Sequence, residues 1–273
     1  MNSINLKKYH GLGNEFLIAV ASSSRAITNT SKVAKELCDP STGLGADGLI
    51  FGVRHPDPAI DIQMILFNAD GSRAEISGNG VRCLAHEMYS EEGAEMELHV
   101  LTDAGVRETI LVSYTEDIAV IEVNMGEVKT GPSVTLSELG IDTTFGVIQV
   151  GTADVGNPHF VVEVDDLKKV SIEQFGLEVE SAWNRDGINV HVLQVQNPQR
   201  VSLLTWERGV GVTAACGSGA IAAAYLAREW NRVDDSLTVS MPGGDALVSF
   251  RNQNAFLQGE SVCIGEFTVP IRD

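Results

Sequence analysis

Positive charge is scarce in this chain. Only 19 Lys and Arg stand against 37 Asp and Glu, a formal net charge of −18 over 273 residues. Nucleic acids and anionic membrane surfaces are held by clustered basic side chains, so neither is expected as a partner. Cysteine is sparse too: Cys38, Cys83, Cys216 and Cys263 are widely and irregularly spaced. No C-x-x-C pair occurs, which argues against a zinc site or a thioredoxin-type motif, and no metal is expected. Cys38, Cys83 and Cys263 are read as small buried hydrophobes. No apolar run approaches the roughly 18 residues of a membrane span. The opening MNSINLKKYHGLGNEF has no apolar signal-peptide core. The expectation is a soluble, cytoplasmic protein.

What is present is apolar residue in quantity, 44% of the chain, enough for a substantial core in one large or two ordinary domains. The chain also repeats itself. The separation that carries Ser77-Gly78-Asn79-Gly80 onto Cys216-Gly217-Ser218-Gly219 also carries Asp47-Gly48 onto Asp186-Gly187 and Phe67-Asn68 onto Trp206-Glu207. A slightly longer one carries GLGNEF, with Asn14, onto DVGNPHF, with Asn157. These segments, recurring in the same order at nearly constant spacing, imply two homologous halves. The join falls near residues 115–120, giving halves 1–117 and 118–262. No Pro/Gly/Ser-rich linker marks it, so the halves are expected to pack closely, with a ligand cleft between them.

Most of the sequence reads as strand. LIFGVR, IDIQMILFN, MELHVLT, ETILVSY, AVIEVNMG, HFVVEV, INVHVLQV, RVSLLTW, LTVSM and ALVSF alternate or run apolar over strand lengths. Three segments read as helix: SKVAKELCD with Ser31 as N-cap, NGVRCLAHEMYSEEG, and SGAIAAAYLAREW. The last is apolar nearly all round and is expected to be a buried central helix. The fold class reads as α+β: two pseudo-symmetric, strand-rich halves, each with one buried helix inside it.

Both repeats put a polar residue and then glycines at a helix start. The first backbone N–H groups there lack helical partners and favour negative charge, and glycine allows close approach. Each half thus offers a cradle for a carboxylate or phosphate. Cys216 sits at one such start, where a thiol pKa is expected to fall and the thiolate to serve as base or nucleophile. A buried structural cysteine before a Gly turn is the competing reading, and the local motif does not separate the two. Other signals are weaker. GLGADG fits G-x-G-x-x-G, but it follows a helix and precedes a strand, the reverse of the dinucleotide-binding order. NTS at Asn29 lacks a secretory context. His10, His55, His86, His99 and His191 have no ligand-like spacing, whereas His159 lies inside a repeated segment.

HGLGNEF, GLGADG, FNADGSRAEISGNGVRC, VNMGE, GNPHF, ERGVG with TAACGSGA, and PGG run nearly end to end through the chain. In these motifs it resembles the diaminopimelate epimerase family of cofactor-independent amino-acid isomerases. The resemblance implies two barrel-like halves, with the last strand, 263–273, returning to the first half. It implies that two cysteines exchange an α-proton across opposite faces of the substrate carbon while the two helix starts hold its carboxylate. No pyridoxal phosphate, other cofactor or metal is implied, and homodimers are common in the family. Carried over, Cys216 matches one catalytic cysteine, Glu207 its carboxylate partner, and His159 the partner on the other side. Asn14, Asn68, Asn157, Asn189 and Arg208 match substrate-binding positions, with Arg208 suited to the distal carboxylate of a di-acid amino acid. Gly78, Asn79, Gly217 and Ser218 match the backbone cradles.

Two positions depart from the family. Ser77 stands where the second catalytic cysteine is expected, and Gly211-Val212-Thr213 replaces the usual Gly-Glu-Thr. A substitution made only to trap substrate leaves position 212 alone, so the pair reads as natural divergence. A hydroxyl is a far weaker acid than a thiol, so two-base epimerisation is expected to be impaired. Three functions follow: a diaminopimelate epimerase, intact or impaired; a related one-base lyase, dehydratase or racemase, with Ser77 and His159 handling a leaving hydroxyl; and a silent amino-acid binding protein.

Overall fold

A computed structural model describes residues 3–21, 30–91, 95–115, 117–183 and 187–270; Asn29 and Asp186, singled out above, lie outside these. In chain order the elements are β1 (Ser3–Gly11), β2 (Asn14–Ala21), α1 (Thr30–Cys38), β3 (Gly48–Val53), β4 (Ile62–Asn68), β5 (Arg73–Ala74), α2 (Gly78–Tyr89), β6 (Glu97–Thr102), β7 (Gly105–Tyr114) and β8 (Ile118–Glu127). There follow β9 (Lys129–Thr130), β10 (Val147–Asp154), β11 (Pro158–Val164), α3 (Ile172–Ala182), β12 (Asn189–Asn197), β13 (Arg200–Glu207), β14 (Gly211–Thr213), α4 (Gly217–Glu229), β15 (Ser236–Met241), β16 (Gly244–Arg251) and β17 (Asn254–Pro270). The chain forms two compact units, Met1–Asn124 with Gly259–Asp273, and Met125–Gln258.

In the first unit β1 pairs antiparallel with β2, β2 parallel with β3, β3 antiparallel with β4, and β4 parallel with β6. The pairs β6–β7 and β7–β8 are antiparallel. β8 then pairs with β17, and β17 antiparallel with β1, which closes the ring. The second unit repeats the pattern. β10–β11 is antiparallel, β11–β12 parallel, β12–β13 antiparallel, β13–β15 parallel, and β15–β16 and β16–β17 antiparallel. A parallel pair needs a long crossover, and each of the four parallel pairs has a helix in it. α2 packs against β1–β4, β6 and β7, and α4 against β10–β13, β15 and β16, so each is the central helix of its unit.

The second crossover helix of each unit covers the other face of the same strands. α1 packs Val33, Ala34 and Leu37 against Leu49, Phe51 and Phe67, while Gly52 on β3 lies against Leu84 of α2. Strands covered on both faces lose their polar positions, and all six residues of β3 are buried. In the second unit Phe175, Val179 and Trp183 meet Ile188, just before β12, and Val190 and Val192 of β12. Asn189 and His191 alternate with those residues and so face α4. The glycines opening α2 cost roughly 1 kcal/mol each relative to alanine. Burial of Val81, Leu84 and Met88, at about 1.5–3 kcal/mol each, outweighs that.

The ten strands read from the sequence are all present, and so are the three helices. β1, β2, β10, the short strands β5, β9 and β14, and α3 are not among the segments read from the sequence. Ser31 is not an N-cap: the helix starts at Thr30, and the Ser31 hydroxyl donates to the Gly71 carbonyl at 2.7 Å. Cys38 and Cys83 are buried, but Cys263 is only half-buried. No described helix is long and apolar enough to cross a membrane.

Candidate active site

In the second unit Cys216 is the N-cap of α4, in extended conformation, and its sulfur accepts from the Gly219 N–H at 3.3 Å. Ser218 Oγ lies 3.6 Å from the sulfur. The β13–β14 pairing sets Thr205 opposite Thr213 and Glu207 opposite Gly211. Residues two apart share a face, so Glu207 stands with both threonines. Thr213 Oγ1 donates to Glu207 Oε1 at 2.8 Å and lies 2.9 Å from Thr205 Oγ1. Val212 alternates to the other face, opposite Trp206. This departure from the family pattern therefore leaves the support of Glu207 in place.

A polar chain runs away from Cys216. Asn157 Nδ2 donates to Ser218 Oγ at 3.5 Å, and Asn157 Oδ1 lies 2.9 Å from His159 Nε2. His159 Nδ1 in turn lies 2.8 Å from His191 Nε2. His191, set aside in the sequence for want of ligand-like spacing, thus joins the site. Asn189 has its amide committed to backbone at both ends: it donates to the Pro158 carbonyl at 3.1 Å and accepts from the Arg208 N–H at 3.0 Å.

In the first unit Ser77 caps α2 and accepts from the Gly80 N–H at 3.1 Å. Cap and sulfur therefore occupy the amides of Gly80 and Gly219, and the cradles reduce to the amides before them, Gly78 with Asn79 and Gly217 with Ser218. Arg82 Nη2 donates to Asn79 Oδ1 at 2.6 Å, Asn79 Nδ2 to Asn14 Oδ1 at 3.3 Å, and Asn14 Nδ2 to Asp47 Oδ2 at 2.7 Å. A fully buried cation thereby sets which way two asparagines point. Its pKa falls to about 10 through burial, which leaves it charged at neutral pH. Sequence reasoning missed Arg82, although a lone cation on a buried apolar helix was a usable signal. Asn68 stands apart from this chain, bonded to Ser72 Oγ at 3.0 Å.

The Cys216 thiol does not follow the helix-start expectation. Burial first, and then the charge of Glu207, push it well above its ordinary value, against smaller downward pulls from Ser218 and Gly219. A helix start favours a thiolate only where the sulfur is not stripped of water. Cys216 rests as a thiol. Replacing Glu207 by glutamine removes a raising charge, so Cys216 should alkylate faster with iodoacetamide at neutral pH. A rate unchanged or slowed in E207Q would contradict this ordering of causes.

Burial also holds the imidazoles neutral. His191 falls to about 3, His86 to about 4, and His159 well below 6.5, with His191 as a second cause for His159. Below about pH 6.5 the unfolded chain takes up protons that these folded imidazoles refuse. Their contribution is complete above that pH and is lost as pH falls toward about 3. Urea midpoints should drop between pH 7 and pH 5, by an amount on the order of several kcal/mol in stability. A flat midpoint over that interval would refute the neutral, buried state of these three imidazoles.

The family profile described as diaminopimelate epimerase matches residues 6–131 and 151–264. A diaminopimelate epimerase of Halothermothrix orenii is 32% identical over 97% of this chain and 98% of its own length. One from Caldanaerobacter subterraneus subsp. tengcongensis is 36% identical over 93% and 94%. Among solved structures, a probable proline racemase from Agrobacterium radiobacter K84 superposes with a TM-score of 0.76 at 16% identity, covering 98% of this chain and 93% of that one. A predicted epimerase from Pseudomonas aeruginosa gives 0.76 at 13%, covering 98% and 100%. These two likenesses speak to the fold. The profile and the near-full-length relatives speak to descent, and on them the chain belongs to the diaminopimelate epimerase family of isomerases.

Proposed function

We propose that this protein interconverts LL- and meso-diaminopimelate by removing and returning the proton at one α-carbon, and that it does so slowly. The observation that carries the reading is Cys216, capping the central helix α4 with Glu207, Ser218 and the Gly219 amide around its sulfur. Glu207 takes the thiol proton, and the thiolate then takes the α-proton. The amides of Gly78, Asn79, Gly217 and Ser218 hold the α-carboxylate as carbanion character develops. Arg208 takes the distal carboxylate, and Asn14, Asn68, Asn157 and Asn189 the remaining polar groups. Return on the other face falls to the Ser77 hydroxyl, which is where the rate is lost. The product would serve lysine and cell-wall precursor synthesis.

The test is incubation with LL- and meso-diaminopimelate in D₂O, with deuterium at the α-carbon and the isomer ratio followed by NMR. Deuterium entry with slow change in the ratio is expected; no exchange into either isomer would sink the reading. One observation favours a second reading, a one-base lyase or dehydratase. The Ser77 hydroxyl is engaged as a helix cap, and among the described residues no imidazole or carboxylate hydrogen-bonds to it, so nothing makes it a second base. Both ring nitrogens of His159 are engaged by Asn157 and His191, so the part of that reading that gives His159 to a leaving hydroxyl is not favoured. Release of a 2-oxo acid from a hydroxylated amino acid would move that reading ahead.

A further inference from the structure

Two histidines lie fully buried on neighbouring strands, and one ring nitrogen, His191 Nδ1, has no hydrogen-bond partner among the described residues. The ring is fixed where it sits. It lies so close against α4 that a Cβ on Gly219 would stand 2.3 Å from its Cε1. Both rings are neutral, so each carries one N–H, and the contact between His159 Nδ1 and His191 Nε2 needs one donor and one acceptor. Only two arrangements satisfy the chain. In the first, His191 Nε2–H donates to a bare His159 Nδ1, His159 Nε2–H donates to Asn157 Oδ1, and Asn157 Nδ2 donates to Ser218. The Ser218 hydroxyl proton is then free to point at the Cys216 sulfur. In the second every donor is reversed, the Asn157 amide is turned over, and Ser218 donates away from the sulfur.

The orphan nitrogen chooses between them. The first arrangement leaves it a bare lone pair, the second an N–H buried without an acceptor, and orphaned buried N–H groups are the rarer and costlier kind. We propose that His191 is a positioning residue for Cys216: acting through His159, Asn157 and Ser218, it fixes the direction of a hydrogen-bond chain that ends as a donor on the sulfur and so favours the thiolate. The ionisable groups facing this chain are few. Glu207 meets the sulfur from β13, His159 and His191 meet each other from β11 and β12, and the first turn of α4 brings no acidic side chain. The role bears on turnover only if Cys216 is the base described above; the chain itself stands apart from that reading.

Two measurements test it, neither needing substrate. In ¹⁵N-histidine-labelled protein, His159 should show a protonated Nε2 and a bare Nδ1. Alkylation of Cys216 against pH, read peptide by peptide so that Cys263 is counted apart, should shift upward by about one pH unit in His191→Leu. His191→Gln, which keeps a donor toward His159, should stay near the native curve. A bare His159 Nε2 in the native chain overturns the proposal, as does a His191→Leu curve that matches the native one. Should His191→Leu fail to fold, the native spectrum still decides. If the spectrum and curves come out as expected while no α-proton exchanges, the functional reading fails and this inference does not.

Discussion

Replacing Cys216 by serine should bring α-proton exchange down by about 10²–10⁴-fold, the span a positioned acid–base group contributes. The serine variant separates chemistry from folding. Serine is among the preferred N-cap residues, and Ser77 already performs that duty on α2 by accepting from the Gly80 N–H. Cys216→Ser should therefore keep α4 capped and the unfolding midpoint close to native while exchange is lost. Cys216→Ala removes the cap acceptor as well, at about 1 kcal/mol, so it should lose exchange and stability together. The measurement is deuterium entry for both variants beside their urea midpoints. Near-native exchange in Cys216→Ser would mean that another group takes the α-proton, and Glu207, bonded to Thr213 and close to the sulfur, would be the first to consider.

The strands that show in the sequence are those whose environment is simple. LIFGV reads as strand because α1 and α2 cover its two faces and leave it no polar position. β1 is hidden by Lys7 and Lys8, whose amines reach Glu87 at 2.9 Å and Glu15 at 2.7 Å while their stems lie along the sheet. α3 is hidden by Gly176, a poor helix residue in isolation. A Cβ there would stand 2.4 Å from Trp206, so packing against β13 demands the glycine that local propensity penalises. The repeat showed more than any single element, because two barrels of like topology need like residues at the strand ends and helix starts. What stayed invisible was polarity inside the barrels. Arg82 and His191 are set among apolar neighbours, and nothing in their spacing says that one orients Asn79 and the other meets His159. The Cys216 thiol shows the same limit from the other side, since a motif displays a helix start but not the burial that overrules it.

Ser77→Cys should raise interconversion of the two isomers by about 10²–10⁴-fold. A proton can cross from one face of a carbon to the other only if one partner starts as base and the other as acid. If Cys216 and Ser77 are those partners, as proposed, both start as acids in the native chain: Cys216 is held as a thiol by burial and Glu207, and a serine hydroxyl ionises hardly at all near neutral pH. A thiol at position 77 changes that balance. The position is half-buried where Cys216 is buried, so the new sulfur keeps more of its water and sits at a helix start without a neighbouring carboxylate bonded to it. It should ionise below Cys216, giving one thiolate and one thiol in the resting protein. The geometry for it exists, because Cys216 shows that a sulfur can cap such a helix by accepting from the third amide at 3.3 Å. The diagnostic is the ratio of two rates in the D₂O experiment. Native protein should incorporate deuterium faster than it changes the isomer ratio, since a lone base returns deuterium to the face it came from. In Ser77→Cys the two rates should converge. If instead interconversion stays at the native level while the new thiol alkylates readily, position 77 has left the proton path, and the one-base chemistry of Cys216 is what this chain retains.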